Sequence, residues 1–308
     1  MSAPEVSVVM GVYNGAEHLA QTLDSILSQE GCDFEFIVVD DGSTDDTGRI
    51  LDERAARDNR LRVIHQQNTG LTRALIRGCA EARGEFIARQ DAGDVSLPGR
   101  LAAQCAHLEN NPGTVMVACG ARFVGPDGEP LYEIVRTGDE LDKGLSNLDV
   151  QTIQGPPHHG STMFRKVAYI SAGGYRTAFV VAQDIDLWLR LAEQGKCWGL
   201  NEVRYEARLA ASSISGRRRL EQIRAGELAI ECALLRRMGK ADQARIDMET
   251  PPDVSAGGRT TRQEKSRFFY FIGACLRKRD PMAAKRYFRR AVQENPLHFK
   301  ALARSILG

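Results

Sequence analysis

Residues 6–13 form a short valine-rich apolar run, the pattern of a strand covered on both faces. Leu19, Leu23, Ile26 and Leu27 follow at helical spacing and draw one apolar stripe. Residues 34–40 predict a second buried strand ending in Asp40-Asp41-Gly42. Ser43, with Asp46 three residues on, has the look of a helix start. A third strand is predicted over 61–65, a third helix over 71–82 and a fourth strand over 85–90, running into Asp91-Ala92-Gly93-Asp94. Alternating strands and helices predict an α/β fold, a mostly parallel sheet with helices on both faces. Ligands of such sheets bind at the carboxyl ends of the strands. Those ends carry polar residues here: Tyr13-Asn14, Asp40-Asp41 and the acids of 91–94.

Beyond Pro112 the pattern changes. Residues 115–124 and 131–135 flank Gly125-Pro126-Asp127-Gly128 as a hairpin would. A further strand is expected over 161–164 and an apolar helix over 184–194. From Arg217 the chain reads as helical, with 249–258 as its linker. The division expected is 1–215 for an α/β catalytic part and 216–308 for a helical region.

Composition adds exclusions. The 308 residues are 43% hydrophobic and 26% charged with a formal net charge of +1, which suits a folded globular chain and gives no reason to expect nucleic acid as a partner. Seven scattered cysteines without a C-x-x-C pair read as thiols in a reducing compartment. The N-terminus lacks the basic and apolar regions of a signal peptide. The longest lipid-like stretch, 268–276, is far short of the roughly 20 residues that span a bilayer. A cytoplasmic protein follows, with any membrane contact peripheral. Residues 261–308 hold 12 Lys or Arg against three Asp or Glu, so the tail is basic although the whole is neutral.

Three groups of residues carry candidate chemistry. Asp91 and Asp94 either cradle a divalent cation such as Mn²⁺ or Mg²⁺ bridging two phosphates, or form an acidic turn in which Asp94 or Ser96 caps a helix with Pro98 near its first turn. Asp40 either accepts from a base N–H, as uracil or thymine would offer, or stabilises its own turn. Asp184 either takes the proton of an acceptor hydroxyl as general base, or complements a helix dipole from the first turn. His158 and His159 read as ligands, or as a buried hydrogen-bonded pair or loop turn.

In combination these segments resemble glycosyltransferase family 2, an inverting family with the GT-A fold. The matching pieces are VSVVMGVYN from Val6, IVVDDGSTD from Ile37, NTGLTRAL from Asn68, GEFIARQDAGD from Gly84, the stretch 159–165 and QDIDLWL from Gln183. They stand in the family's order and cover about residues 5–215. The resemblance implies that Val12 and Tyr13 line the nucleotide base, Asp40 binds it, and Arg73 lies near the nucleotide or phosphates. It puts Asp91 at the first acid of the Asp-x-Asp motif, with Ala92 beside it against the donor, and Asp184 at the catalytic base. A single in-line displacement would invert the anomeric carbon.

Three positions depart from the pattern. Gly93 replaces the second motif acid, leaving Asp94 to substitute for it; Gln183 replaces a common Glu; Ala210 replaces a common His. Gly93 and Ala210 favour a competing reading, a non-catalytic nucleotide-sugar-binding or scaffold protein, against which Asp184 speaks. A pyrophosphorylase would want a glycine-rich basic loop after the first strand, and a dehydrogenase a G-x-G-x-x-G; neither is present. The expected partners are a UDP- or dTDP-sugar donor and a glycan or lipid-linked acceptor, within cell-surface polysaccharide assembly. Near the C-terminus, Gly273, Ala284, Phe288, Ala291 and Asn295-Pro296 resemble one tetratricopeptide-like helical hairpin. One such unit cannot bury its face alone, so it is expected to pack on the catalytic part or another chain, with its basic residues turned to anionic lipid, a partner or solvent.

Overall fold

The structure, a computed structural model, describes residues 3–149, 152–211, 219–248 and 260–307. The strands are β1 (Val6–Val12), β2 (Phe34–Asp40), β3 (Leu61–His65), β4 (Phe86–Arg89), β5 (Val95–Ser96), β6 (Thr114–Val124), β7 (Pro130–Ile134), β8 (Thr162–Arg165) and β9 (Lys196–Arg208). They form one sheet in the order β3-β2-β1-β4-β8-β6-β9-β5, with β7 on β6. The helices are α1 (Ala16–Leu27), α2 (Thr47–Ala55), α3 (Leu71–Ala80), α4 (Arg100–Asn110), α5 (Glu140–Ser146), α6 (Lys166–Ser171), α7 (Gln183–Ala192), α8 (Arg219–Arg237), α9 (Gln243–Asp247), α10 (Arg262–Leu276), α11 (Pro281–Glu294) and α12 (Phe299–Leu307).

The first four strands are parallel, and every residue of β1, β2 and β4 is buried. Alternation along them sorts the core into two layers. Val6, Val8, Met10, Phe36 and Val38 pack with Leu19, Leu23 and Leu101 from α1 and α4. Val9, Ile37 and Ile87 pack on the opposite face with Leu75 of α3 and Leu187 of α7. In the order 3-2-1-4 the chain reverses direction across the sheet between β1 and β4, the crevice where ligands of such sheets sit. Beyond β4 the sheet turns mixed: β8 runs antiparallel to β4 and β6, whereas β9 is parallel to β6 and antiparallel to β5. The β6–β7 hairpin is antiparallel as expected.

Several local expectations need correction. The Ser43 hydroxyl does not cap a helix; it accepts from the Asn14 N–H at 2.9 Å, and α2 starts later, at Thr47. Neither Asp94 nor Ser96 caps α4, because Gly99 precedes that helix with φ 74° and both side chains are engaged elsewhere. β9 was not among the expected strands, although Val203, Tyr205 and Ala207 alternate with charged residues along it.

The C-terminal helices rest on the sheet's far end. Thr261 and Glu264 form a capping box on α10, and Asp280 accepts from the Ala283 N–H ahead of α11. A Cβ at Gly273 would stand 2.7 Å from the Phe288 ring, so glycine lets α10 and α11 close on each other. Their shared core takes in Leu131 and Tyr132 of β7. Tyr287 donates toward Asp127 and Glu129 at 3.1 and 3.0 Å, and Arg279 donates to the Leu131 carbonyl. The hairpin therefore packs on the α/β part. The linker expected at 249–258 lies outside the described residues. All seven cysteines are free thiols, and among the described residues no helix is long and apolar enough to cross a membrane.

Candidate active site

The carboxyl ends of β1, β2 and β4 meet at one edge. Tyr13, directly after β1, is 52% exposed, while the Val12 side chain is buried and its carbonyl accepts from the Asp41 N–H. Asp40, ending β2, is buried; one carboxylate oxygen accepts from the Ser43 N–H at 3.0 Å and the other pairs with His65 Nδ1 at 2.9 Å. Asp52 and then Asp40 hold the His65 imidazole above its ordinary pKa. Asp41 accepts from Gln66 and from the Thr69 and Gly70 N–H groups, which tethers the loop leading into α3. Arg73, on the first turn of α3, is exposed and lines a cavity of about 420 Å³ together with Thr69, Thr177 and Gln243.

After β4 the acids gather. Arg89 is fully buried and its guanidinium holds Asp91 at 2.8 Å. Burial opposes charge on Asp91, but the Arg89 guanidinium against it outweighs that and keeps the carboxyl below its usual range. Gly93 turns the chain with φ 94°, a conformation in which an acid would be strained. Asp94 thereby comes to the position where a second acid is useful. Its carboxylate accepts from the Tyr205 hydroxyl and the Arg208 N–H, each at 2.9 Å. Burial, reinforced by Asp91, pushes its carboxyl up to about 6. Ala92 completes the turn, and a methyl group at Gly15 would lie 3.7 Å from it.

For His158 and His159 the sequence left open metal ligands, a buried hydrogen-bonded pair or a loop turn. The structure divides the pair. His159 is the buried, hydrogen-bonded member: its Nε2 meets the Tyr175 hydroxyl at 2.6 Å, and burial with Arg89 close by pushes its pKa down to about 3. His158 instead aims Nδ1 at the acids, 3.8 Å from Asp91 and 3.6 Å from Asp94. That Nδ1 also accepts from the Gly160 N–H at 3.1 Å, which fixes the ring's orientation beside the two carboxylates. One ligand atom from each of Asp91, Asp94 and His158 lies within 4.8 Å of the other two. Two carboxylates and an imidazole suit a divalent ion such as Mn²⁺. Two carboxylates drawn this close together are what such an ion would neutralise. The residues fit the group.

Asp184 begins α7 beneath this cluster. Ala182 before it is a non-glycine residue at φ 55°. Burial pushes the Asp184 carboxyl up, Asp91 adds to the rise, and N–H groups of the first turn partly offset it. A partly buried carboxylate with a raised pKa is suited to accept a proton from a hydroxyl. Asp186, two residues on, is fully buried against Arg176 and Arg190 and is structural. Ala210, where a histidine was expected, is half-buried, and residues 212–215 lie outside the described chain. Sequence reasoning missed Arg89, Arg100 and Tyr205. An arginine inside an apolar strand is the signal that was available for Arg89.

A mostly parallel sheet with acids at adjoining strand ends, three side chains that could hold a cation and a carboxylate on the neighbouring helix have the chemistry of a group-transfer enzyme. Comparison with known proteins refines that class. A family profile described as glycosyl transferase family 2 matches residues 7–170. EpsE of Bacillus subtilis, named as a glycosyltransferase, is 36% identical over 215 residues, covering 67% of this chain and 74% of EpsE. The O-antigen biosynthesis glycosyltransferase WbnJ of Escherichia coli is 29% identical over 191 residues, covering 61% of this chain and 72% of WbnJ. The crystal structure of residues 1–349 of TarS from S. aureus superposes with a TM-score of 0.58 at 16% identity, across 98% of this chain and 88% of that one. The chain belongs to glycosyl transferase family 2, has the GT-A fold and is a glycosyltransferase.

Proposed function

We propose that the enzyme moves a hexose from a UDP- or dTDP-sugar to a hydroxyl of a glycan or lipid-linked acceptor, with inversion, during assembly of a surface polysaccharide. The observation that carries this reading is the convergence of Asp91, Asp94 and His158 beside Asp184. Tyr13 with Val12 beneath it, Asp40, Arg73, Asp91 and Ala92 would hold the donor. Asp184 accepts the proton of the acceptor hydroxyl while its oxygen bonds to the anomeric carbon, and the bond from that carbon to the diphosphate breaks on the opposite face. Asp91, Asp94 and His158 would hold a divalent cation, which when bound would supply the positive charge that a departing diphosphate needs. Arg89, fixed behind Asp91, keeps that carboxylate ionised.

TarS structures with UDP and with UDP-GlcNAc bound support a uridine donor on this fold, and the naming of WbnJ for O-antigen biosynthesis supports a polysaccharide product. Gly93 favoured a non-catalytic binding protein; Asp94 taking up the role of the missing acid favours the transferase. Residues 1–215 are read as the catalytic part and 216–308 as its helical support, cytoplasmic and in peripheral contact with the inner face of the membrane.

Calorimetric titration with UDP, dTDP and GDP, with and without Mn²⁺, tests the donor site: one nucleotide is expected to bind, and more tightly with Mn²⁺. Asp184→Asn is expected to keep nucleotide affinity in that titration while lowering turnover of the sugar donor, measured separately by nucleotide release, by about 10²–10⁴-fold. Loss of binding and turnover together would make Asp184 a structural residue. Binding indifferent to Mn²⁺ would remove the cation from the reading.

A further inference from the structure

We infer that Tyr205 sets the geometry of the cation cradle, acting as a positioning residue on all three candidate ligands at once. The inference rests on reading Asp91, Asp94 and His158 as that cradle. Tyr205 stands in β9, paired with Ser96 of β5 and Ala121 of β6, and is fully buried. Its hydroxyl has one proton, which it donates to Asp94 Oδ2 at 2.9 Å; the Asp91 N–H donates to the same hydroxyl at 3.2 Å. The second Asp94 oxygen is held by the Arg208 N–H, three residues further along β9, so both oxygens of that carboxylate are anchored to a single strand. The third ligand is reached by stacking: the Tyr205 and His158 rings lie 5.3 Å apart at 23°.

Two further features hold the tyrosine in place. The Arg100 guanidinium lies over the Tyr205 ring at 5.1 Å. Arg100 is itself fully buried, donating to Gln104, Gln90, Ser96 and the Arg89 carbonyl, and among the described residues it has no carboxylate partner. Gly160 supplies the other feature. A Cβ there would stand 1.9 Å from the tyrosine oxygen, so only glycine admits the hydroxyl to its position, and the same Gly160 donates its N–H to His158. A tyrosine that merely filled volume would need neither the glycine nor two hydrogen bonds to the acid loop. Outer partners that fix ligand orientation typically govern metal affinity by about 10–100-fold.

Tyr205→Phe keeps the ring and its stack on His158 and deletes only the hydroxyl. The probe is Mn²⁺ alone, followed by electron paramagnetic resonance of the free ion, with unfolding temperature measured in excess EDTA as the control. The expected result is Mn²⁺ affinity weakened by about 10-fold or more, with an EDTA unfolding temperature close to that of the parent. Gly160→Ala retains the hydroxyl but displaces it, and is expected to weaken Mn²⁺ similarly, so it serves as a second reading should Tyr205→Phe fail to fold. Parent-like Mn²⁺ affinity in either folded variant would overturn the role of Tyr205. Failure of the parent protein to bind Mn²⁺ would overturn the cradle beneath it, a distinct result.

Discussion

At Asp94 two demands pull against each other. The carboxylate is nearly enclosed and lies close to Asp91, yet a cation site needs it ionised. Its folded pKa of about 6 lies above the ordinary carboxyl value of 3.8. Between those values the folded state keeps a proton that the unfolded chain has released, so stability falls as pH rises through the window. Asp94→Asn removes that burden at pH 7.5. Discounting for the hydrogen bonds it disturbs, we expect a gain of about 1 kcal/mol, or roughly 2 °C in Tm, measured by calorimetry in EDTA. Mn²⁺ affinity is expected to fall in the same variant. A lower Tm would mean that the bonds from Tyr205 and Arg208 stabilise the charged form by more than burial costs it.

The element that joins chemistry to scaffold is α7. Asp184 and Asp186 share its first turn, yet they meet opposite surroundings. Asp186 is fully buried and binds both Arg176 and Arg190; Arg176 continues to Asp242 at 2.7 Å, and Arg236 joins Asp242 to Glu193. This network ties α7 to the end of α8 and the residue before α9, while Phe179, Leu189 and Ile230 fill the space alongside. Removing one partner of such a group leaves cations unpaired in a poorly solvated site, which costs about 3–5 kcal/mol. Asp186→Asn is therefore expected to lower the denaturant midpoint clearly, whereas Asp184→Asn leaves it near the parent value. Equal midpoints for the two variants would refute this division of labour.

Over the whole molecule, the C-terminal helices bury one side on β7 and present another to solvent. Phe299, Leu302 and Ile306 form an exposed apolar stripe along α12. Beside it, Lys285 of α11 reaches the Ile306 carbonyl, and Arg286 and Arg289 are exposed on the same helix. An exposed apolar stripe in a region rich in cations is complementary to an anionic bilayer surface. Sedimentation with vesicles of phosphatidylglycerol and phosphatidylcholine is expected to carry the protein down, less so at high salt. Phe299→Asp and Ile306→Asp are each expected to weaken that binding by about tenfold, the loss of one buried apolar side chain. No binding at low salt would leave the stripe without a lipid role.

The parallel half of the sheet was legible because a strand covered on both faces must be a continuous apolar run. The candidate site residues Asp40 and Asp91 lie where such a run ends. Asp184 was legible for a similar reason, as the first acid of an apolar helix. β9 left a different trace: Val203, Tyr205 and Ala207 alternate with Glu202, Arg204 and Glu206, the period-two pattern of a strand covered on one face and not a continuous apolar run. Tyr205 accordingly looked like one aromatic among charges. His158 and His159 are adjacent and chemically identical, and only the turn through Gly160 decides that one is sealed in the core and the other faces the acids. The same holds for Gly93. Its sequence position says that an acid is missing, while its left-handed backbone carries the chain round so that Asp94 replaces it. Local pattern thus determined the elements and the residue types at their ends. Only tertiary structure decided which side chains converge, because convergence depends on strand order and on turn geometry between segments as far apart as Asp91 and Tyr205.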